Sequence, residues 1–109
     1  MDTLDKIRMI LDEQTATIME LTAQRPLTAS QISRELDLPH SVCYRKLKML
    51  IDAQLLHEIR PASSSGGAPN AKRYTSNIDQ AYVVLEHGEL KCILKLRDNE
   101  APQIFRIVE

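Results

Sequence analysis

The sequence predicts a mixed α+β domain, with helices first and antiparallel strands last. Three observations lead there. Apolar residues recur at helical spacing as far as about residue 54. A T-x-x-Q capping signature opens one of those helices at Thr28. From Leu55 onward the period falls to two, and a His-Gly pair separates two alternating runs.

The N-terminal segment reads as helix. Leu4, Ile7 and Leu11 fall at i, i+3 and i+7, and Ile18, Leu21 and Thr22 continue the helical spacing at i, i+3 and i+4. Asp12 and Glu13 suit the first turn of a new helix, so residues 2–24 fit either one long helix or two. Arg25-Pro26 ends this segment, because the residue before proline avoids the α region.

Thr28-Ala29-Ser30-Gln31 then starts a short helix, with Ala29, Ile32, Ser33 and Leu36 on one face. Asp37-Leu38-Pro39 makes a tight connection, since Asp tolerates the left-handed conformation such turns use. Pro39 precedes or opens the next helix, expected from about His40 to Gln54. In that helix Cys43, Leu47, Leu50 and Ile51 form an apolar stripe at core spacing. Ser41, Arg45 and Lys48 lie on the opposite side, with Asp52 further along.

Leu55 to Arg60 alternates like a strand, and Lys72-Arg73-Tyr74-Thr75 supplies its return. Pro61 to Ala71 between them is a loose tip containing Ser63-Ser64-Ser65-Gly66-Gly67. A second hairpin follows, Tyr82–Glu86 and Glu89–Arg97 around His87-Gly88. Pairing Glu86 with Glu89 sets Leu85 opposite Leu90, Val83 opposite Cys92 and Ala81 opposite Leu94, all on one face. Gln103 to Val108 is expected to add a further strand.

At 109 residues the chain fits one compact domain. No apolar run approaches the roughly 20 residues of a membrane span, and the N-terminus lacks the apolar core of a signal peptide. Cys43 and Cys92 are too few and too separate for a disulfide framework or zinc knuckle, so a cytoplasmic protein with reduced thiols is expected. The net charge of −1 hides an uneven distribution: residues 25–75 carry +4, residues 1–24 −3 and residues 76–109 −2. A basic middle between acidic ends suggests an anionic partner, most commonly nucleic acid.

Capped short helix, tight turn, basic-faced helix and loose-tipped hairpin make, in that order, the layout of a winged helix-turn-helix. In that layout the second helix of the motif enters the major groove and the wing reaches a neighbouring phosphate or the minor groove. The expected division is an N-terminal helix at 1–11, a winged helix-turn-helix at 12–76 and a β extension at 77–109.

The residues that carry this layout also resemble a known family. Pro26-Leu27-Thr28-Ala29-Ser30-Gln31-Ile32 is similar to the "PLTxxEI/L" opening of ArsR-like and MarR-like winged-helix transcriptional regulators, particularly small archaeal ones. Leu36 through Leu47 is similar to their "LGLSRSTVYRHL", and Leu50 through Leu56 to "LEEAGLL". The tail from Tyr74 through Leu96 resembles a β extension found after the wing in some archaeal members. Asp37 and Gln54 stand where the family often has glycine. The clustered cysteines of its metal-sensing members have no counterpart here, so metal sensing does not carry over.

The resemblance implies DNA contact by specific residues. Arg45 is the candidate for base reading, because a guanidinium matches guanine O6 and N7 bidentately. Ser41 would bond a base or phosphate, and Lys48 a phosphate. His40 and Tyr44 lie beside that strip, and Tyr44 fits either a phosphate contact or packing. Lys72 and Arg73, with Arg60 across the hairpin, would follow the backbone. Double-stranded DNA, a second copy of the chain and no membrane are the expected partners. The dimer surfaces would be the N-terminal helix stripe and the C-terminal hairpin.

Cys43 and Cys92 read as packing residues. His40, His57 and His87 lack metal-ligand spacing, and no catalytic motif is present. No cofactor is implied, and no residue pattern names a small-molecule effector. Two rival readings remain at this level: a winged helix used as a protein-interaction module, and a ligand- or thiol-sensing regulator.

Overall fold

The computed structural model describes residues 3–60 and 71–108. Of the loop expected at Pro61 to Ala71, residues 61–70 lie outside the described residues. The elements are α1 (Thr3–Leu11), α2 (Glu13–Gln24), β1 (Leu27–Thr28), α3 (Ala29–Leu36) and α4 (His40–Asp52). They continue with β2 (Leu56–Ile59), β3 (Arg73–Ser76), β4 (Ile78–Glu86), β5 (Glu89–Leu96) and β6 (Gln103–Arg106). The fold is mixed α+β, four helices with two small antiparallel sheets, ordered β1-β3-β2 and β4-β5-β6.

The N-terminal segment is two helices, and Asp12 makes the break. Its carboxylate accepts from the Thr15 backbone N–H at 3.1 Å and caps α2. The Thr15 hydroxyl turns back to donate to the Met9 carbonyl, which the Asp12 N–H also reaches, at 3.3 Å. The break also rotates α1 away from the expected stripe. Ile7 and Met9 are buried, whereas Leu11 is 71% exposed. In α2 the pattern holds, with Ile18 and Thr22 fully buried.

The cap yields a pH prediction. The Thr15 N–H bond, aided by the nearby Lys46 ammonium, holds the Asp12 carboxyl below the usual carboxylate range. A lowered folded-state pKa stabilises above the unfolded value and is lost as pH falls through the folded one. Asp12→Asn keeps a good cap, so its unfolding midpoint should match wild type at neutral pH. Below about pH 4 its midpoint should fall less steeply. Thermal unfolding of both proteins between neutral and acid pH checks this.

At α3 the capping box is complete: the Gln31 N–H donates to Thr28 Oγ1 at 3.2 Å, and the Thr28 N–H to Gln31 Oε1 at 2.8 Å. Asp37 ends the helix at φ 53°, and Gln54 follows α4 at φ 65°. Both positions are therefore occupied by side-chain-bearing residues in the left-handed region, a strain of about 1 kcal/mol each. The chain accepts it because these turns close the helices: the Leu38 N–H reaches Ser33 O at 3.0 Å and the Leu55 N–H reaches Leu50 O at 2.9 Å.

Ile18, Ile32, Leu47, Leu50, Leu55 and Leu56 are fully buried and form the core where α2, α3 and α4 meet the first sheet. The strand expected at Leu55–Arg60 is shorter and does not alternate: Leu55 and Leu56 are both buried, while His57, Glu58 and Ile59 are exposed. Of the strand itself only the first residue, Leu56, reaches the core. The return strand starts one residue later than expected, with Ile59 opposite Arg73 and Glu58 opposite Tyr74.

Asn77 carries the chain from one sheet to the next. It is fully buried; its amide donates to Gln54 O at 2.8 Å and to Asp98 Oδ1 at 3.2 Å. The second hairpin has the expected register: Leu85 faces Leu90, Val83 faces Cys92 and Ala81 faces Leu94. His87 and Gly88 form its turn at φ 51° and 77°. β6 joins at the far side, with Cys92 opposite Phe105. The shared apolar face is only partly covered, however. Leu94 and Leu96 join the core, while Val83 and Leu85 are 51% and 71% exposed, because they belong to the edge strand.

Candidate nucleic-acid interface

The helix-turn-helix is the pair α3 and α4, and its geometry follows from how α4 is held. Cys43, Leu47 and Leu50 are buried against the core, with Ile51 half-buried beside them. At 100° per residue this turns Ser41, Tyr44, Arg45 and Lys48 outward onto one strip, and all four are exposed. His40 lies at the exposed start of the same helix. Tyr44 projects from the helix, 53% exposed.

Charge on this strip is not cancelled. Among the described residues, neither Arg45 nor Lys48 has a carboxylate within 4.0 Å; Lys46, on the flank facing Asp12, does. The wing is different. Lys72 Nζ lies 3.4 Å from Glu58 Oε1, so part of the expected basic wing is neutralised within the protein. Arg73 is half-buried opposite Thr28 and Ile59, and Arg60 is exposed one step beyond that pair, level with Lys72.

An open groove runs between α4 and the wing. Tyr44, Lys48 and Asp52 line it from α4, Glu58 and Lys72 from the wing, and Thr28 and Ser30 from the start of α3. The expected residues thus divide. Tyr44, Lys48 and Lys72 share the groove; His40, Ser41 and Arg45 continue the strip along α4, and Arg60 and Arg73 flank the wing. Ser30 was not among the expected contacts, although its place in the first turn of α3, where backbone N–H groups are free, was legible from the capping box. Asp52, the last residue of α4, brings negative charge to the groove beyond Lys48, which confines the basic surface to the N-terminal two-thirds of α4.

Neither thiol is placed for chemistry. Cys43 and Cys92 are both buried, and burial pushes each above its ordinary pKa. Cys43 Sγ sits 3.6 Å from the Ala29 carbonyl, in the contact between α3 and α4. Tyr74 is likewise raised, first by burial and then by Glu58. Among the described residues no three His, Cys, Asp or Glu side chains cluster as metal ligands, and no helix is long and apolar enough to cross a membrane.

Residues 11–59 match the family model of a helix-turn-helix domain. The match runs from the end of α1 to the end of β2 and so contains the capped α3, the Asp37 turn and α4. No curated protein matches the chain in sequence.

Proposed function

We propose that the protein is a sequence-specific transcriptional regulator that binds double-stranded DNA, of the ArsR-like or MarR-like winged-helix kind. The observation that supports this best is the α4 strip: Ser41, Tyr44, Arg45 and Lys48 are exposed together, and neither cation has a carboxylate within 4.0 Å among the described residues. On this reading residues 12–76 are the DNA-binding unit. Arg45 reads a base edge in the major groove, and Ser41 and Lys48 fix the helix on phosphates. His40 and Tyr44 border the contact.

The wing contributes through Arg60, Lys72 and Arg73. Lys72 exchanges Glu58 for a phosphate, which lowers its net contribution, since an exposed ion pair is itself worth little. A single strip and wing contact few base pairs, so operator-level specificity calls for a homodimer spanning two half-sites about one helical turn apart. Residues 77–109 then serve as the extension that joins two copies, and the site of action is cytoplasmic.

Fluorescence anisotropy of the purified chain on random duplex DNA, across a salt series, tests the reading. Affinity should fall linearly in log–log form, and Lys72→Ala/Arg73→Ala should flatten the slope by up to about 2, or about 0.9 for each phosphate no longer neutralised. Absence of binding at low salt by folded protein would overturn it and favour the protein-interaction module.

A further inference from the structure

Among the described residues, the strand β4 is an edge without protection. It borders β5 on one side only, and from Gln80 to Leu85 it contains no charged residue, proline or glycine. Monomeric proteins usually blunt such an edge with lysine, proline, a short strand or a cover. The opposite edge obeys that rule: β6 has four residues, follows Pro102 and carries Arg106. On β4, Tyr82, Val83 and Leu85 remain 51%, 51% and 71% exposed.

The direction of the free backbone groups on β4 can be read from the ladder. The Ile107 N–H donates to the Leu90 carbonyl at 3.0 Å, so Leu90 directs its carbonyl away from β4. Leu85 and Leu90 are therefore a non-hydrogen-bonded pair, as a two-residue turn at His87-Gly88 also requires. Alternation then assigns the same state to Val83 and Ala81. Ala81, Val83 and Leu85 present their N–H and C=O groups to the open edge, while Gln80, Tyr82, Val84 and Glu86 direct theirs to β5.

We infer that a second copy of this chain pairs antiparallel with that edge, β4 against β4, about a two-fold axis at Val83. Opposed residues in an antiparallel pair share a face, so a two-fold axis falls on a residue position. The regular ladder of β4 runs from Gln80 to Glu86, past the irregularity between Ile78 and Gln80, and its centre is Val83. Val83 gives the longest overlap. Its N–H donates to the carbonyl of Val83 in the second copy, and Ala81 pairs with Leu85 of that copy.

Side chains agree with this register on both faces. Val83 meets Val83 and Ala81 meets Leu85 on one; Tyr82 meets Val84 on the other. Gln80 falls opposite Glu86, so each carboxylate meets an amide rather than its own copy, with Lys95 next to Gln80 across β5. Placing the axis one residue to either side, at Tyr82 or Val84, shortens the regular pairing and sets Asp79 against Leu85 or His87 against Ala81. The two three-stranded sheets become one of six strands, and the exposed apolar side chains of β4 gain cover. This deepens the homodimer of the proposed function without depending on DNA contact.

Sedimentation equilibrium of the full chain at about 10 μM tests it. Wild type should sediment at twice 12.4 kDa. Leu85→Lys, at a side chain exposed in the single copy, should raise the dimer dissociation constant by about 100-fold or more while leaving the circular dichroism spectrum unchanged. Ala81→Glu/Leu85→Lys should restore the dimer, because the introduced carboxylate and ammonium face one another only across the proposed axis. Monomeric wild type, a Leu85→Lys protein as dimeric as wild type, or a double variant that stays monomeric would each overturn the interface. Binding of the same proteins to random duplex, measured at low salt, reports separately on the DNA reading.

Discussion

Leu50→Ala is expected to destabilise the protein by about 2–5 kcal/mol. Leu50 is fully buried on α4, directly behind the exposed strip, among Ile18, Ile32, Leu47 and Leu55. Its backbone carbonyl also receives the Leu55 N–H that closes the helix. The side-chain deletion leaves a cavity that neighbours from three helices cannot all collapse into. Domains of this size have a total stability of about 5–15 kcal/mol, so the loss is a large fraction of it. Urea unfolding measures the change. Met49→Ala, one residue away and 40% exposed, should cost no more than about 1 kcal/mol. Equal costs at the two positions would mean that α4 is not held in the orientation that presents Arg45.

The second large effect is at Arg45 itself. Arg45→Ala should weaken binding to a preferred duplex by about 1–3 kcal/mol, roughly 5- to 150-fold, since a bidentate contact to guanine is worth that much. Stability should not change, because the side chain is exposed and no carboxylate lies within 4.0 Å of it among the described residues. Anisotropy on a preferred and a random duplex separates the two roles open to Arg45. If Arg45 reads a base, the variant binds the preferred duplex less tightly and the random one as before. If it holds a phosphate, the variant binds both less tightly, and by equal factors.

What the sequence made legible was local. The capping box at Thr28–Gln31 and the turn at Asp37 depend on residues within one turn of chain, and both form as their chemistry dictates. The register of β4 and β5 was readable because the two-residue turn fixes it and a slip of one would invert every side chain. Coverage was not readable. Period two places Val83, Leu85 and Cys92 on one face, but only tertiary packing decides that Cys92 is buried and Leu85 is not.

Similar reasons explain the other departures. Leu11 has the spacing of a core residue, but Asp12 ends its helix and Leu11 projects outward. Leu55 and Leu56 are buried in succession because the chain leaves α4 there, so neither period applies. Within the interface, the helical strip on α4 followed directly from the apolar stripe behind it. The Lys72–Glu58 pair depended on hairpin pairing across residues outside any local window.

The central claim is that the exposed face of α4 reads DNA sequence. Selection from a randomised duplex library, carried out in parallel with wild type and Arg45→Ala, tests it most directly. Wild type is expected to enrich a two-fold motif containing guanine in each half-site, and the variant to lose preference at that position while keeping the rest. No enrichment by wild type, or an identical motif at identical affinity from both proteins, would contradict it.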